Sequence, residues 1–360
     1  LRSSRRRTSQ AVLYSNFVKG ELQRLLAQAK ARVDAPYEVG YHDERVRYRN
    51  WLSSINNDSG AWLKAGVSPK MFEMSNNEFV SAICRRNTVE DPTIPKYTEF
   101  ISREDPLMFR CSCEGSSRPK RVDPYGYHLV GCKIGANAIR LHDEVVAMVA
   151  KLFRSLRLDA IVEPLRLFSD VDEDASNQRP DIFIRNPRGL GRQVIIDVAV
   201  TGVDGQSRSN DEETERPLQA RYDQKMAKYG RIAEQSNLLF VPAVFSHTGQ
   251  IHGDFKAFVR EQIKQKLVAF EGDAKPSKTR STMKWWSKCI SMAIAKTASR
   301  NVAFKVAKMR EAIMEDQDEF LMRNTECADV DMHTNNRAHL EDVAQNADLY
   351  IANQAVSSQL

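Results

Sequence analysis

Two aspartates, Asp181 and Asp197, stand on either side of a turn, inside apolar runs that otherwise carry no acid. The first run reads Arg179-Pro180-Asp181-Ile182-Phe183-Ile184, the turn Asn186-Pro187-Arg188-Gly189-Leu190-Gly191, and the second run Val194-Ile195-Ile196-Asp197-Val198-Ala199-Val200. β-Branched stretches flanking an Asn/Pro/Gly segment predict a β-hairpin. The midpoint of positions 181 and 197 is Gly189, within the turn, so regular pairing sets the two carboxylates opposite each other. Opposed side chains hold their β-carbons about 5 Å apart, and two like charges at that range repel unless a cation, a proton or a cationic side chain lies between them. A shared divalent metal is the productive resolution. Glu163, in Ile161-Val162-Glu163-Pro164, adds a third acid at the end of a neighbouring strand. Three carboxylates converging from adjacent strands suit Mg²⁺ or Mn²⁺ rather than zinc, and a metal so held activates water and neutralises charge developing on a phosphate. The competing arrangement has Asp181 bridging to Arg179 or Arg192, and Glu163 as a surface acid.

A second constellation is thiol-based. Cys111-Ser112-Cys113 and His128-Leu129-Val130-Gly131-Cys132 give the spacing C-x-C-x14-H-x3-C. Four such ligands close a tetrahedron around Zn²⁺ and leave no position for substrate, so the site reads as structural; the alternative is small buried thiols packed beside a core histidine. Cys84, Cys289 and Cys327 have no partner spacing and read as packing residues. Six cysteines arranged in this way are not a disulfide framework.

These residues need a scaffold, and the alternation of patterns supplies one. A helix is expected at 137–157, with Ile139, Val145, Val146, Val149, Leu152 and Phe153 on its apolar face. Strands follow at 160–165, 181–185 and 193–201, then a helix at 214–235, a strand at 238–245 and a helix at 254–270. The result is an α/β fold with an αβββαβ core, in which the polar stretch 169–178 is a surface loop. Upstream, residues 1–106 read as a helical region: a helix at 9–33, tryptophans and leucines in 43–66, and a helix at 75–86 whose Ser75 and Glu78 have capping-box spacing. Residues 107–136 form the zinc module and 137–272 the core. Lys275–Ser281 reads as a linker into a basic helix at 284–310.

At 360 residues and 42% apolar composition the chain can bury a substantial core. Its net charge of +6 is unevenly spread: residues 273–310 hold ten Lys/Arg against one acid, and residues 311–360 hold eleven acids against two Arg. Arg2, Arg5, Arg6 and Arg7 form a further basic cluster suited to phosphate contact or nuclear import. No run of about 18 apolar residues is present, and no apolar signal-peptide core follows the arginine-rich start; the expectation is an intracellular protein without a membrane partner.

The order Glu163, Pro180-Asp181, Asp197 resembles the PD-(D/E)xK nuclease superfamily, whose restriction-endonuclease-like core is the αβββαβ arrangement. That family places a lysine two residues after the second acid, where this chain has Ala199. Lysine can come instead from the following helix, where Lys225 and Lys228 lie three apart, with Lys228 favoured. A CCHC cluster upstream of Arg-Pro-Asp and a second Asp resembles the C-terminal region of non-LTR retrotransposons that carry a restriction-like endonuclease. Asp123-Pro124-Tyr125-Gly126-Tyr127-His128, Arg140-Leu141-His142-Asp143 and Lys225–Tyr229 extend the likeness over roughly residues 50–310. The resemblance implies Mg²⁺- or Mn²⁺-dependent nicking of double-stranded DNA, with element RNA as a second partner and Arg140 and His142 among the DNA contacts. Lys284, Lys288 and Lys296 of the basic helix are candidates for further phosphate contacts, with Trp285 and Trp286 packing on the core or stacking on bases. Nothing resembling a polymerase palm is present. Two rival readings stay open: a binding module that has lost catalysis, for which Ala199 is the sign, and a structure-specific or effector nuclease that keeps the fold but acts outside retrotransposition.

Overall fold

The computed structural model describes residues 44–65, 72–94, 110–111, 120–132, 136–165, 167–168, 179–202 and 215–328. The helix expected at 9–33, the Arg2–Arg7 cluster, Cys113, the acidic loop 169–178 and the tail beyond Ala328 lie outside them. Helices α1 (Glu44–Ile55) and α2 (Asn76–Arg86) flank a 3₁₀ turn at Ala61–Lys64. The expected capping box is present at α2: the Ser75 hydroxyl accepts from the Glu78 N–H, and the Glu78 carboxylate accepts from the Ser75 N–H at 2.8 Å. Two helix-end donors are thereby satisfied. A two-stranded antiparallel ribbon, β1 (Arg110–Cys111) with β2 (Lys120–Arg121), precedes the short helix α3 (Tyr127–Val130).

The core follows as α4 (Asn137–Ser155), β3 (Ala160–Val162), β4 (Ile182–Ile184), β5 (Val194–Thr201), α5 (Arg216–Gln235) and β6 (Leu239–Ser246), and then α6 (Gly253–Glu271) and α7 (Pro276–Ala328). The mixed α/β class and the α-β-β-β-α-β order are as read from the sequence. One sheet of order β3-β4-β5-β6 results, antiparallel at the first two junctions and parallel between β5 and β6. The parallel pair needs a long crossover, and α5 provides it.

Three expectations need correction. Strand β3 ends at Val162 rather than 165, because Glu163 adopts φ +50° and Pro164 follows; a left-handed residue leaves the ladder. Residues 275–281 are not a linker beyond Lys275: α7 starts at Pro276, since proline is tolerated in a first turn whose N–H groups have no helical partner. Ile139 does not belong to the buried face of α4; it is exposed, and Leu141 joins Val145, Val149, Leu152 and Phe153 inside.

Helix α7 is basic in composition, yet its part within residues 1–307 contributes to the core. Trp286, Cys289, Ile290, Ile294 and Val302 are buried, and the Trp286 ring stands edge-on to Phe153 at 5.0 Å. Trp285, by contrast, is 40% exposed. The chain divides into two units, residues 1–307 and 308–360. The functional groups discussed below belong to the first; in the second, Lys308 pairs with Glu311 at 2.8 Å. Among the described residues no helix is long and apolar enough to cross a membrane.

Candidate catalytic and metal centres

Helix α5 carries Leu218, Tyr222, Lys225 and Tyr229, a spacing that places all four on one face. In β5, residues 195, 197 and 199 share one face of the sheet. The two rows meet. Leu218 and Tyr222 pack with Ala199 and Val244, Lys225 forms an ion pair with Asp197, and Tyr229 packs with Ile195, Phe183 and Phe240. Ala199, where the resemblance would place a lysine, is therefore a packing position beneath α5, and the ammonium that reaches the strand comes from Lys225. Lys228 does not meet an aspartate: its Nζ donates to the Tyr229 hydroxyl at 2.9 Å.

The hairpin register is as expected from the Gly189 midpoint. Ile182 pairs with Ile196, Phe183 with Ile195 and Ile184 with Val194, so the same register continued by one residue sets Asp181 opposite Asp197. Just before β4, the Asp181 carboxylate takes up the Val198 N–H, with Oδ2 accepting at 2.6 Å. The same oxygen lies 3.2 Å from His142 Nε2, while His142 Nδ1 is 3.1 Å from Asp143. Sequence reasoning placed His142 among DNA contacts; the fold brings it from α4 onto Asp181. The hydrogen bond to Asp181 raises the His142 imidazole to about 9, against the opposing effect of burial and with Asp143 assisting. The histidine is thus a cation at neutral pH.

Asp197 is buried. Burial first, and the facing Asp181 carboxylate second, push its acid strength down, that is, its pKa up; the attraction of Lys225 and Lys228 only partly offsets them. Its Oδ2 is in contact with the Lys225 ammonium, and that cation is the partner that compensates the buried charge.

Glu163 departs from its expected role. The β3–β4 register, Val162 with Ile182, continues to Glu163 opposite Asp181, and the Glu163 N–H donates to the Asp181 carbonyl at 2.8 Å. The left-handed backbone turns its side chain away, to an ion pair with Arg179 at 3.1 Å in which both partners are about half exposed. Three carboxylates do not converge. Among the described residues, the one set of three or more Cys, His, Asp or Glu ligand atoms all within 4.8 Å of one another is Cys111, His128 and Cys132.

Arg140 is engaged within the fold: it donates to Asn137 and Asn301 and lies 4.2 Å over the Phe304 ring. On α7, Lys284 is exposed and Lys288 and Lys296 are half-buried. Arg300 pairs with Glu78 at 2.5 Å, and Lys305 is buried.

The Cys/His group could hold a metal ion. Cys111 leaves β1 and Cys132 follows α3; both thiols are buried and their sulfurs lie 3.3 Å apart. His128 is aimed by the turn before it, in which the Asp123 carboxylate accepts from the N–H groups of Tyr125, Tyr127 and His128 at 2.9–3.1 Å. Asn137 and Asn301 then fasten α3 to α4 and α7. The Asn137 amide donates to the carbonyls of Leu129 and Asn301, and the Asn301 amide to those of Val130 and Asn137. Both asparagines are buried. Asn301→Ala removes two buried hydrogen bonds, each contributing about 0.5–1.5 kcal/mol net, so urea unfolding should report a loss of roughly 1–3 kcal/mol; an unchanged midpoint would show the clasp to be dispensable.

No protein-family model matches this chain, and no curated protein matches it either.

Proposed function

We propose that the protein is a metal-dependent DNA endonuclease with a restriction-endonuclease-like core, of the kind that non-LTR retrotransposons carry beside a Cys/His module. The observation that carries this reading is the Asp181–Asp197 pair, opposed across β4 and β5, with the Lys225 ammonium on Asp197. The α-β-β-β-α-β order around the pair supports it. Asp181 and Asp197 are the residues that would hold Mg²⁺ or Mn²⁺, and the chemistry of the donor set, two carboxylates opposed across β4 and β5, is the feature that fits such an ion. Bound there, the ion supplies an activated water and neutralises charge on the phosphate.

This chain's own groups do the rest. Lys225 favours the anionic form of Asp197 and places a positive charge where phosphate oxygens gain charge during phosphodiester cleavage. His142 holds Asp181 from the opposite side, and the Val198 N–H fixes the same carboxylate oxygen. Ala199 raised the rival reading of an inactive binding module. Its packing under Leu218 and Tyr222, with Lys225 one step along the same strand face, favours catalysis instead. Glu163, paired with Arg179, takes no part in holding the ion in this reading.

Double-stranded DNA is the substrate we assign, with exposed Lys284 a candidate phosphate contact. Cys111, His128 and Cys132 would hold Zn²⁺ as a structural ion, with Cys113 as the fourth ligand by spacing. Incubating the protein with supercoiled plasmid tests the proposal: nicked circles should form with Mg²⁺ or Mn²⁺ and not with EDTA. Plasmid left supercoiled in both metals would overturn it.

A further inference from the structure

We propose that the surface where the end of α4, the β4–β5 turn and the end of α6 meet binds single-stranded nucleic acid, with Arg157, Arg188 and Lys266 on its phosphates and Phe270 against a base. The inference goes beyond the endonuclease reading and does not depend on it: Ser155, the last residue of α4, stands about 20 Å along the helix from His142, which touches the aspartate pair.

Phe270, in the last turn of α6, is 50% exposed, and two arginines stand on it. The guanidinium carbons of Arg157 and Arg188 lie 4.6 and 5.1 Å from the centre of its ring. Cations gathered on one ring repel each other, and an anion placed between them turns the repulsion into attraction. Among the described residues neither arginine nor Lys266 meets a carboxylate. The acids closest in sequence are committed elsewhere: Asp159 to Arg185, Glu261 to Lys264 and Glu271 to Lys278.

Part of this arrangement caps α4. Arg157 leaves the helix in the left-handed conformation, φ +58°, with its N–H on the Arg154 carbonyl at 2.8 Å and the Leu158 N–H on the Phe153 carbonyl at 3.2 Å. Arg188 donates to the carbonyls of Leu156 at 2.7 Å and Arg157 at 3.3 Å, and Lys266 to that of Ser155 at 3.4 Å. Those bonds use two of the five guanidinium donors of Arg188. Its backbone is fixed by the buried Gln262 amide, which accepts from the Arg188 N–H and donates to the Arg188 carbonyl, each at 3.2 Å. Capping does not account for the side chain of Arg157. Glycine is the residue this left-handed position favours, and the exposed Arg157 guanidinium has the Phe270 ring as its contact among the described residues.

The combination selects its ligand. Guanidinium groups grip phosphate or carboxylate oxygens through paired N–H donors, so charge alone would admit any nucleic acid or an acidic peptide. An exposed ring set among the arginines adds a stacking platform. A duplex keeps its bases inside its own stack and an acidic peptide has no base to offer, so an unpaired strand is the ligand that uses both groups.

Fluorescence anisotropy of the full chain with a labelled oligothymidylate of about 20 nucleotides, without added divalent metal, tests this. Arg157→Gly removes a charge and gives the left-handed position its favoured residue. It should melt no lower than the wild type, yet bind the strand about 5-fold more weakly, with a log-log salt slope smaller by about 0.7. Phe270→Leu keeps apolar bulk and loses the stacking face, so it should weaken binding about 5-fold or more with the slope unchanged. A capping role alone would move the melting temperature and leave affinity and slope in place. Wild-type affinity for the strand in either variant would overturn the inference. So would a wild type that binds the matching duplex as tightly as the strand, which marks a phosphate contact only, and so would displacement of the strand by polyglutamate as readily as by unlabelled strand, which marks a charged patch only. Should Phe270→Leu fail to fold, Arg157→Gly carries the affinity and slope test.

Discussion

Asp197→Asn should leave a folded protein that no longer nicks supercoiled DNA. The substitution is isosteric and removes the charge while keeping an oxygen. With half of the opposed pair gone, the site loses the negative potential that would attract a divalent ion, and Lys225 loses its partner. A rate loss of at least about 10³-fold is expected, which corresponds to roughly 4 kcal/mol of transition-state stabilisation. Stability should move little or rise. Burial and Asp181 hold the Asp197 carboxyl above its ordinary range, so its ionised form opposes folding once the pH exceeds the range in which an unfolded aspartate titrates; the neutral amide lacks that penalty. Asp181→Asn should be equally inactive but less stable, because it gives up the ion pair with His142. That pair is fully present below about pH 6.5, the ordinary histidine value, and is lost as the pH rises through about 9. Melting curves and plasmid assays on both variants decide the matter, and cleavage by either at the wild-type rate would sink the assignment of the pair.

Zinc should be present at about one ion per chain in protein purified without chelator, and Cys111→Ser should lose it. Cys111, His128 and Cys132 offer soft and borderline ligands, whereas the aspartate pair offers only oxygen, so the two centres select different ions. Asp197→Asn should accordingly retain its zinc. Removing Cys111 leaves the buried Cys132 thiol and His128 without the ion that would hold them, and the binding energy of a structural zinc, whose site the unfolded chain does not preform, is folding energy. A destabilisation of at least about 3 kcal/mol is expected, at the upper end of what point substitutions produce. Elemental analysis that finds no zinc in the wild type would refute the centre.

Much of the core was legible as pattern. The alternation of strand and helix signals, the hairpin around Gly189 and the capping box at Ser75 are local, because each depends on backbone periods of 2 or 3.6 residues and on turn chemistry. The facing of Asp181 and Asp197 belongs to the same class, since a short antiparallel connection sets register arithmetically. The stripe Leu218, Tyr222, Lys225, Tyr229 was legible too, and reading it as one face would have singled out Lys225 before Lys228.

Other features depended on what lies across from each face, which no local period contains. Glu163 sits in register with Asp181 yet turns outward, because a left-handed residue ends β3 and Arg179 offers a partner at the surface. His142 joins the centre only because α4 carries it onto Asp181. The lysine-rich stretch 284–310 reads as a DNA-facing arm from its charge; that its intervening Trp286, Ile290, Ile294 and Val302 face the core is decided by packing, and burial of that apolar side is the larger contribution to stability. Spacing tells which residues share a face of a helix or strand; only the packing of one element on another decides whether that face meets water, an apolar neighbour or a carboxylate.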